Sequence, residues 1–254
     1  MKHILALLCL ATLFSCSKEE PKNIKLSGPI FGTGFNIQYY SEDNRSYLEP
    51  IDSLFNVVNQ SLSTYIPDSD ISKLNRNEIT KVDHHFEMVF KASKEIYNET
   101  EGVFDPTIGN VVNAWDFGAE SNKFLTDSIT IESLMRFVGL SKVSLMKNNI
   151  KKPTETYLEF NAIAKGYGID VISDFLESKG IKNYLVDIGG DLRVSGTNIE
   201  SRKGWTVGID DPNFDGTQSY SKVIVLKDEA MATSGTYRKF KIDDAGNRYA
   251  HIIN

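Results

Sequence analysis

Lys165 and Gly166 stand where the run EFNAIAKGYGID, Glu159 to Asp170, changes character. The run enters apolar and strand-like, crosses Ala162 and Ala164, and leaves as YGIDVISDFLESKG, with helical spacing and a glycine stop. A helix start has unpaired backbone N–H groups, and those amides together with the helix dipole favour an anion. Lys165 beside them is a point charge suited to phosphate. A tight turn with a surface lysine would look the same, so other residues must decide.

Several other polar groups interrupt apolar segments. LSTYIPDSDISKLN places Ser63-Thr64-Tyr65 directly after a helical pattern, and GVFDPTIGNVVNAW sets Asp105 before Pro106. AMATSGTYRKF offers Thr233-Ser234-Gly235, a small-residue turn, and then Arg238. Loop chemistry explains each alone; together they suit a long, anionic, aromatic ligand. Of the four histidines, His3 lies at the extreme N-terminus, and His84 and His85 open a helix, where exposure is expected. His251 sits in RYAHIIN, and as a lone histidine it would more often pack than react. Familiar sites are excluded by residue type. Ile37 occupies the third glycine position of a dinucleotide fingerprint begun at Gly32, and there is no Walker loop and no HExxH.

The elements that would carry these residues are mixed. Phe35, Ile37 and Tyr39 alternate as in a half-buried strand, and residues 48–62 form an amphipathic helix. Helical spacing recurs from Phe86 to Tyr97, over 128–138 up to Gly139, and from Ile169 to Leu176 up to Gly180. NYLVDIGGDLRVSG predicts two strands around Gly189-Gly190, with further strands at WTVGI and KVIVL. Helices early and strands late predict an α+β fold, a largely antiparallel sheet packed with amphipathic helices.

The N-terminus points to export. MKHILALLCLATLFSCSKEE has a basic start and an apolar run from Ile4 to Phe14, well short of the ~20 residues needed to span a bilayer. LFSC resembles a lipobox, so residues 1–15 are expected to be a signal peptide and Cys16 the lipidated N-terminus. A polar tether over 16–27 would follow. The chain has two cysteines, Cys9 and Cys16, so the exported domain can form no internal disulfide. A net charge of −6 gives no basic footprint for nucleic acid.

The blocks FGT, LSTYIPDSDISKLN, GVFDPTIGNVVNAWDFG, NAIAKGYGID, NYLVDIGGDLRVSGTN, WTVGI, ATSGTYRKF and YAHIIN stand in this order from about residue 28 to the last. In order and spacing they resemble the ApbE family, the bacterial FAD:protein FMN transferases, also described as flavin-trafficking lipoproteins. The resemblance implies a Mg2+-dependent transfer of FMN from FAD to a threonine hydroxyl, with release of AMP. The implied partners are flavin-acceptor proteins of respiratory or electron-transfer complexes, reached from the cell envelope with the domain facing the periplasm.

By position, the resemblance implies that Phe31 stands where the family usually has methionine, an apolar contact to the flavin nucleotide, and that Tyr65 offers an aromatic packing surface. Val103, Phe104 and Asp105 match a ligand-contacting segment, with Asp105 accepting hydrogen bonds from base or sugar. Glu159 and Lys165 match nucleotide contacts, Lys165 at the phosphates. Ala162 matches a metal ligand through its backbone carbonyl. His251 and Ile253 match the family's HIID segment, with the histidine as general base. The family continues beyond HIID with a late Asp and Thr that bind metal through their side chains, whereas HIIN ends here with Asn254 at the aspartate's position. The expectation is therefore a C-terminally truncated family member with an impaired metal site. A non-catalytic, lipid-anchored FAD-binding protein and an FAD pyrophosphatase are the alternatives.

Overall fold

The structure, a computed structural model, describes residues 20–120, 127–213, 217, 219–236, 240–242 and 246–250. Five strands form one sheet: β1 (Lys22–Ile30), β2 (Thr33–Ser41), β5 (Tyr184–Ile188), β6 (Asp191–Ser195) and β9 (Glu229–Met231), adjacent in that order. Every neighbouring pair is antiparallel, as the late clustering of strands predicts. Three two-stranded ribbons accompany it: β3 (Ser144–Met146) with β4 (Asn149–Lys151), β7 (Trp205–Asp210) with β8 (Tyr220–Leu226), and β10 (Phe240–Ile242) with β11 (Arg248–Ala250).

The helices are α1 (Leu48–Leu62), α2 (Asp70–Asn75), α3 (His84–Glu99), α4 (Gly109–Ala114), α5 (Ser128–Met135) and α6 (Ala164–Ser178). Helix α1 has the expected bounds. Its buried stripe, Ile51, Phe55, Val58 and Leu62, faces two core clusters in turn. Ile51 and Phe55 join the sheet-side cluster with Ile37, Val186 and Ile172, whereas Val58 and Leu62 join Phe86, Leu158 and Phe160. Full burial of each such side chain contributes about 1.5–3 kcal/mol. Helix α6 and Phe31 also touch both clusters, so the end of the sheet nearest them is held from two sides. A third cluster, Tyr40, Leu185, Leu192, Val194 and Trp205, anchors the β7–β8 ribbon.

Three expectations are corrected. Residues 22–27, expected to be tether, belong to β1, which pairs Lys22 with Ser41 and packs Ile24 and Leu26 on the core. Ser27-Gly28-Pro29 hides this strand from an alternation count. The ring of Phe35 would lie 2.9 Å from a Cβ at Gly28, and Pro29 is tolerated on an edge strand. Helix α6 starts at Ala164, three residues before the helical spacing that opens at Tyr167, which puts Lys165 inside its first turn. Residues 158–160 before it belong to no strand; Tyr157 alone makes an isolated parallel bridge, to Ile108.

Candidate functional site

Three turns meet at one end of the sheet. The β1–β2 turn is Phe31-Gly32, the β5–β6 turn is Gly189-Gly190, and the chain leaving β9 reaches Thr233, whose Oγ1 lies 3.4 Å from the Gly190 carbonyl. The start of α6 lies beside them. Phe31 and Gly32 both have positive φ, 49° and 71°, as a two-residue hairpin turn of this twist requires. A phenylalanine there is strained by roughly 1–3 kcal/mol. Its ring is 5.7 Å from Phe55, edge to face, and a Cβ on Gly168 of α6 would come within 2.8 Å of it. Gly168 is therefore glycine so that the hairpin tip can sit against the helix.

Helix α6 has no side-chain cap at Ile163. The amides of Lys165 and Gly166 take no backbone acceptor among the described residues, and no atom would contact a Cβ on Gly166. Lys165 Nζ lies 2.9 Å from an Asp191 carboxylate oxygen. That carboxylate also accepts the Thr233 N–H at 3.2 Å. Lys165 is thus placed at the expected helix start, but its partner in this structure is Asp191. Across the turn, Asp187 accepts from the Gly190 N–H at 2.9 Å and from Asn36 at 3.0 Å. These two acids on either side of a glycine pair went unassigned in the sequence reading; VDIGGD was the available signal.

The second flank begins at Tyr65, which is 54 % exposed and donates its hydroxyl to the Phe117 carbonyl at 3.3 Å. Burial of the phenol and the charge of Glu159 push its pKa up, opposed by a hydrogen bond to Asn161. Glu159 is held by its own N–H, which donates to the Pro106 carbonyl at 2.8 Å. Tyr65, Glu159 and Asn161 therefore meet, and residues 159–165 run from this flank to the start of α6. Val103 is 90 % exposed and Phe104 half-buried, two residues from that pin. Asp105 is engaged within the fold. One carboxylate oxygen accepts from the Thr107 amide and hydroxyl at 2.8 and 2.6 Å, the other from the Leu140 amide at 3.1 Å. Asp105 thus braces a loop here.

Ala162 lies in an exposed turn, so its carbonyl can be reached. The described residues contain no group of three His, Cys, Asp or Glu that could hold a metal ion; Mg2+ takes one or two carboxylates and completes its shell with substrate phosphates and water, and the Ala162 carbonyl would be one further oxygen. His85 is half-buried, not exposed, with Nδ1 2.8 Å from the Tyr167 hydroxyl. Cys16, His251, Ile253 and Asn254 lie outside the described residues. The ribbon leading to residue 250 rests on the Tyr65 flank: Tyr249 stacks edge-on with Trp115 at 5.7 Å, and Lys241 pairs with Asp116. Two cavities among the described residues, of about 550 and 320 Å³, border the β3–β4 ribbon and touch none of these residues. Tyr65, Val103, Asn161, Ala162, Gly166 and Thr233 are all exposed, so the site is an open shelf.

The sequence matches the ApbE family over residues 31–254. The chain belongs to that family. It is 35 % identical to the FAD:protein FMN transferase of Vibrio cholerae, over 99 % of this chain and 77 % of the relative. It is 33 % identical to the one from Haemophilus influenzae, over 99 % and 76 %. The solved flavin transferase ApbE from Vibrio cholerae superposes with a TM-score of 0.79 at 33 % identity, covering 92 % of this chain and 76 % of that one. The apo form of the Pseudomonas stutzeri flavinyl transferase ApbE gives a TM-score of 0.78 at 25 % identity, covering 91 % and 74 %. The mixed α+β architecture with its antiparallel sheet is the ApbE fold.

Proposed function

We propose that this ApbE-family chain is an FAD:protein FMN transferase, attaching FMN by a phosphoester to a threonine of an exported or membrane protein and releasing AMP. The observation that carries it is the run of residues 159–165 from the Tyr65 ring to the uncapped helix start bearing Lys165. A dinucleotide has the same order, ring to phosphates. In the transfer, the threonine oxygen forms a bond to the FMN phosphorus. The bond from that phosphorus to the bridging oxygen breaks, and AMP leaves with that oxygen and its electron pair. Such a step is governed mainly by positioning and charge neutralisation. Lys165 and the free amides of α6 would neutralise the diphosphate. His251 would accept the threonine proton.

Mg2+ belongs to the proposal through the family resemblance, and Ala162 would contribute its carbonyl. The acceptor is proposed to be a flavin-carrying protein of a respiratory or electron-transfer complex. The enzyme would face the periplasm, held to the membrane by a lipid on Cys16. The test incubates the purified protein with FAD, Mg2+ and an acceptor bearing its target threonine, and follows flavin fluorescence on the acceptor after denaturing electrophoresis. The expected result is labelling that is lost with EDTA and with His251→Ala. FAD binding without labelling would overturn the transferase in favour of a carrier. Free FMN and AMP without labelling would instead identify a pyrophosphatase.

A further inference from the structure

We infer that Asn75 is a positioning residue that fixes the Glu159–Ala162 arm relative to the Tyr65 ring, an assignment that rests on the flavin-site reading above. Asn75 ends α2 and is 9 % exposed. Its Nδ2 donates to the Leu158 carbonyl at 2.8 Å, and its Oδ1 accepts from the Leu158 N–H at 2.8 Å. One side-chain amide thus gives Leu158 the donor and acceptor that a neighbouring strand would supply. Leu158 is thereby paired although its segment belongs to no strand. On its far side Glu159 is pinned to Pro106 and Tyr157 bridges to Ile108.

The other end of α2 is tied to the residues before Tyr65. Ser69 Oγ donates to the Ser63 carbonyl at 2.7 Å, and Ser72 Oγ reaches the Thr64 carbonyl at 3.3 Å. Tyr65 and Asn75 are therefore the two ends of one hydroxyl-laced bracket, and the arm that Asn75 holds returns to meet Tyr65 at Glu159 and Asn161. Burial of Leu158 and Phe160 already keeps this stretch in the core. Apolar burial is non-directional, whereas a pair of hydrogen bonds fixes register and rotation. That is what Asn75 adds, and rotation decides where Glu159 and the Ala162 carbonyl point. An ionised aspartate could accept from the Leu158 N–H but could not donate to its carbonyl.

The experiment compares wild type with Asn75→Asp and with Val89→Ala, a buried α3 change in the same apolar cluster as Leu158 that removes no hydrogen bond and so serves as a stability control. FAD affinity is read by flavin fluorescence and melting temperature alongside it. At about pH 8, N75D is expected to bind FAD about tenfold more weakly, the scale of one buried hydrogen bond. Relative to wild type, N75D should recover progressively as pH falls to about 5 and below, because burial at this position raises a carboxyl's pKa and only the protonated carboxyl can donate. Tyr157 is the titratable side chain facing Asn75; burial and nearby Glu120 push it up, so it stays neutral over this range. V89A should lose melting temperature but keep FAD affinity within about twofold. If N75D does not fold, Ser72→Ala loosens the same bracket and should weaken FAD about threefold, because the Ser72 hydroxyl bond to the Thr64 carbonyl is buried but acts on the arm only through Tyr65.

Wild-type affinity in N75D, or in S72A where N75D does not fold, would overturn the role of Asn75 alone. So would a loss in N75D matched by V89A at equal melting temperature. Wild type that binds no FAD would overturn the flavin-site reading and this role with it.

Discussion

The two flanks of the shelf are built by different physics. On the Tyr65 flank, the backbone of Leu158 and Glu159 is pinned by buried hydrogen bonds and by side chains with no exposure. On the α6 flank, Lys165 meets Asp191 across a pair whose side chains are 31 % and 17 % exposed. The first is fixed before a ligand arrives. The second is an ion pair near water, worth about 0–1 kcal/mol, which an entering diphosphate can outbid. A site for a molecule with a flat ring and a charged bridge gains from that division: rigidity where shape is matched, exchangeable charge where anions must be accepted and released.

The sharpest way to break the contrast is at Leu158, which is fully buried between the two pinned sides. Leu158→Ala should cost about 2–5 kcal/mol of unfolding free energy in urea denaturation. Asp105→Asn should follow at about 1–3 kcal/mol, since a single amide oxygen cannot replace the carboxylate toward both Thr107 and Leu140. Melting temperature should fall further than FAD affinity does. Tyr184 comes next. Burial and the hydrogen bond to Glu177 push its pKa above the ordinary phenol range, up to about 12. Because the folded pKa is raised, the neutral phenol's contribution is complete below the unfolded pKa and is lost as pH rises from about 10 to about 12. Tyr184→Phe should cost about 1 kcal/mol at neutral pH and flatten the melting-temperature decline in that alkaline window. The smallest stability effect is expected on the α6 flank. Asp191→Asn should change stability by less than about 1 kcal/mol, yet tighten FAD at low salt by freeing Lys165. Lys165→Ala should weaken FAD about tenfold, matching a lost charge-assisted hydrogen bond.

Local pattern made one flank of the fold legible and hid part of the other. Helix α1 was readable from 48 to 62 because its apolar spacing is sustained over its whole length. The apolar period of α6 opens only at Tyr167, three residues after the helix itself, because Ala164, Lys165 and Gly166 carry no apolar repeat, and residue type alone suggests an anion at that junction. Strand β1 escaped notice because Ser27-Gly28-Pro29 reads as linker until the Phe35 ring beside Gly28 is known. The bracing role of Asp105 and the clamp by Asn75 depend on partners 35 and 83 positions away. No window along the chain contains such pairs, so the blocks around them could be recognised but their duties could not be assigned.

Phe31 carries a consequence for anyone seeking a hardier variant. Asparagine or glycine in its place would relax the left-handed backbone of the tip and, by local rules, should raise stability. That change would also remove the wedge that stitches helix, hairpin and both halves of the interior together. Optimising the turn in isolation would therefore loosen the joint it was meant to strengthen.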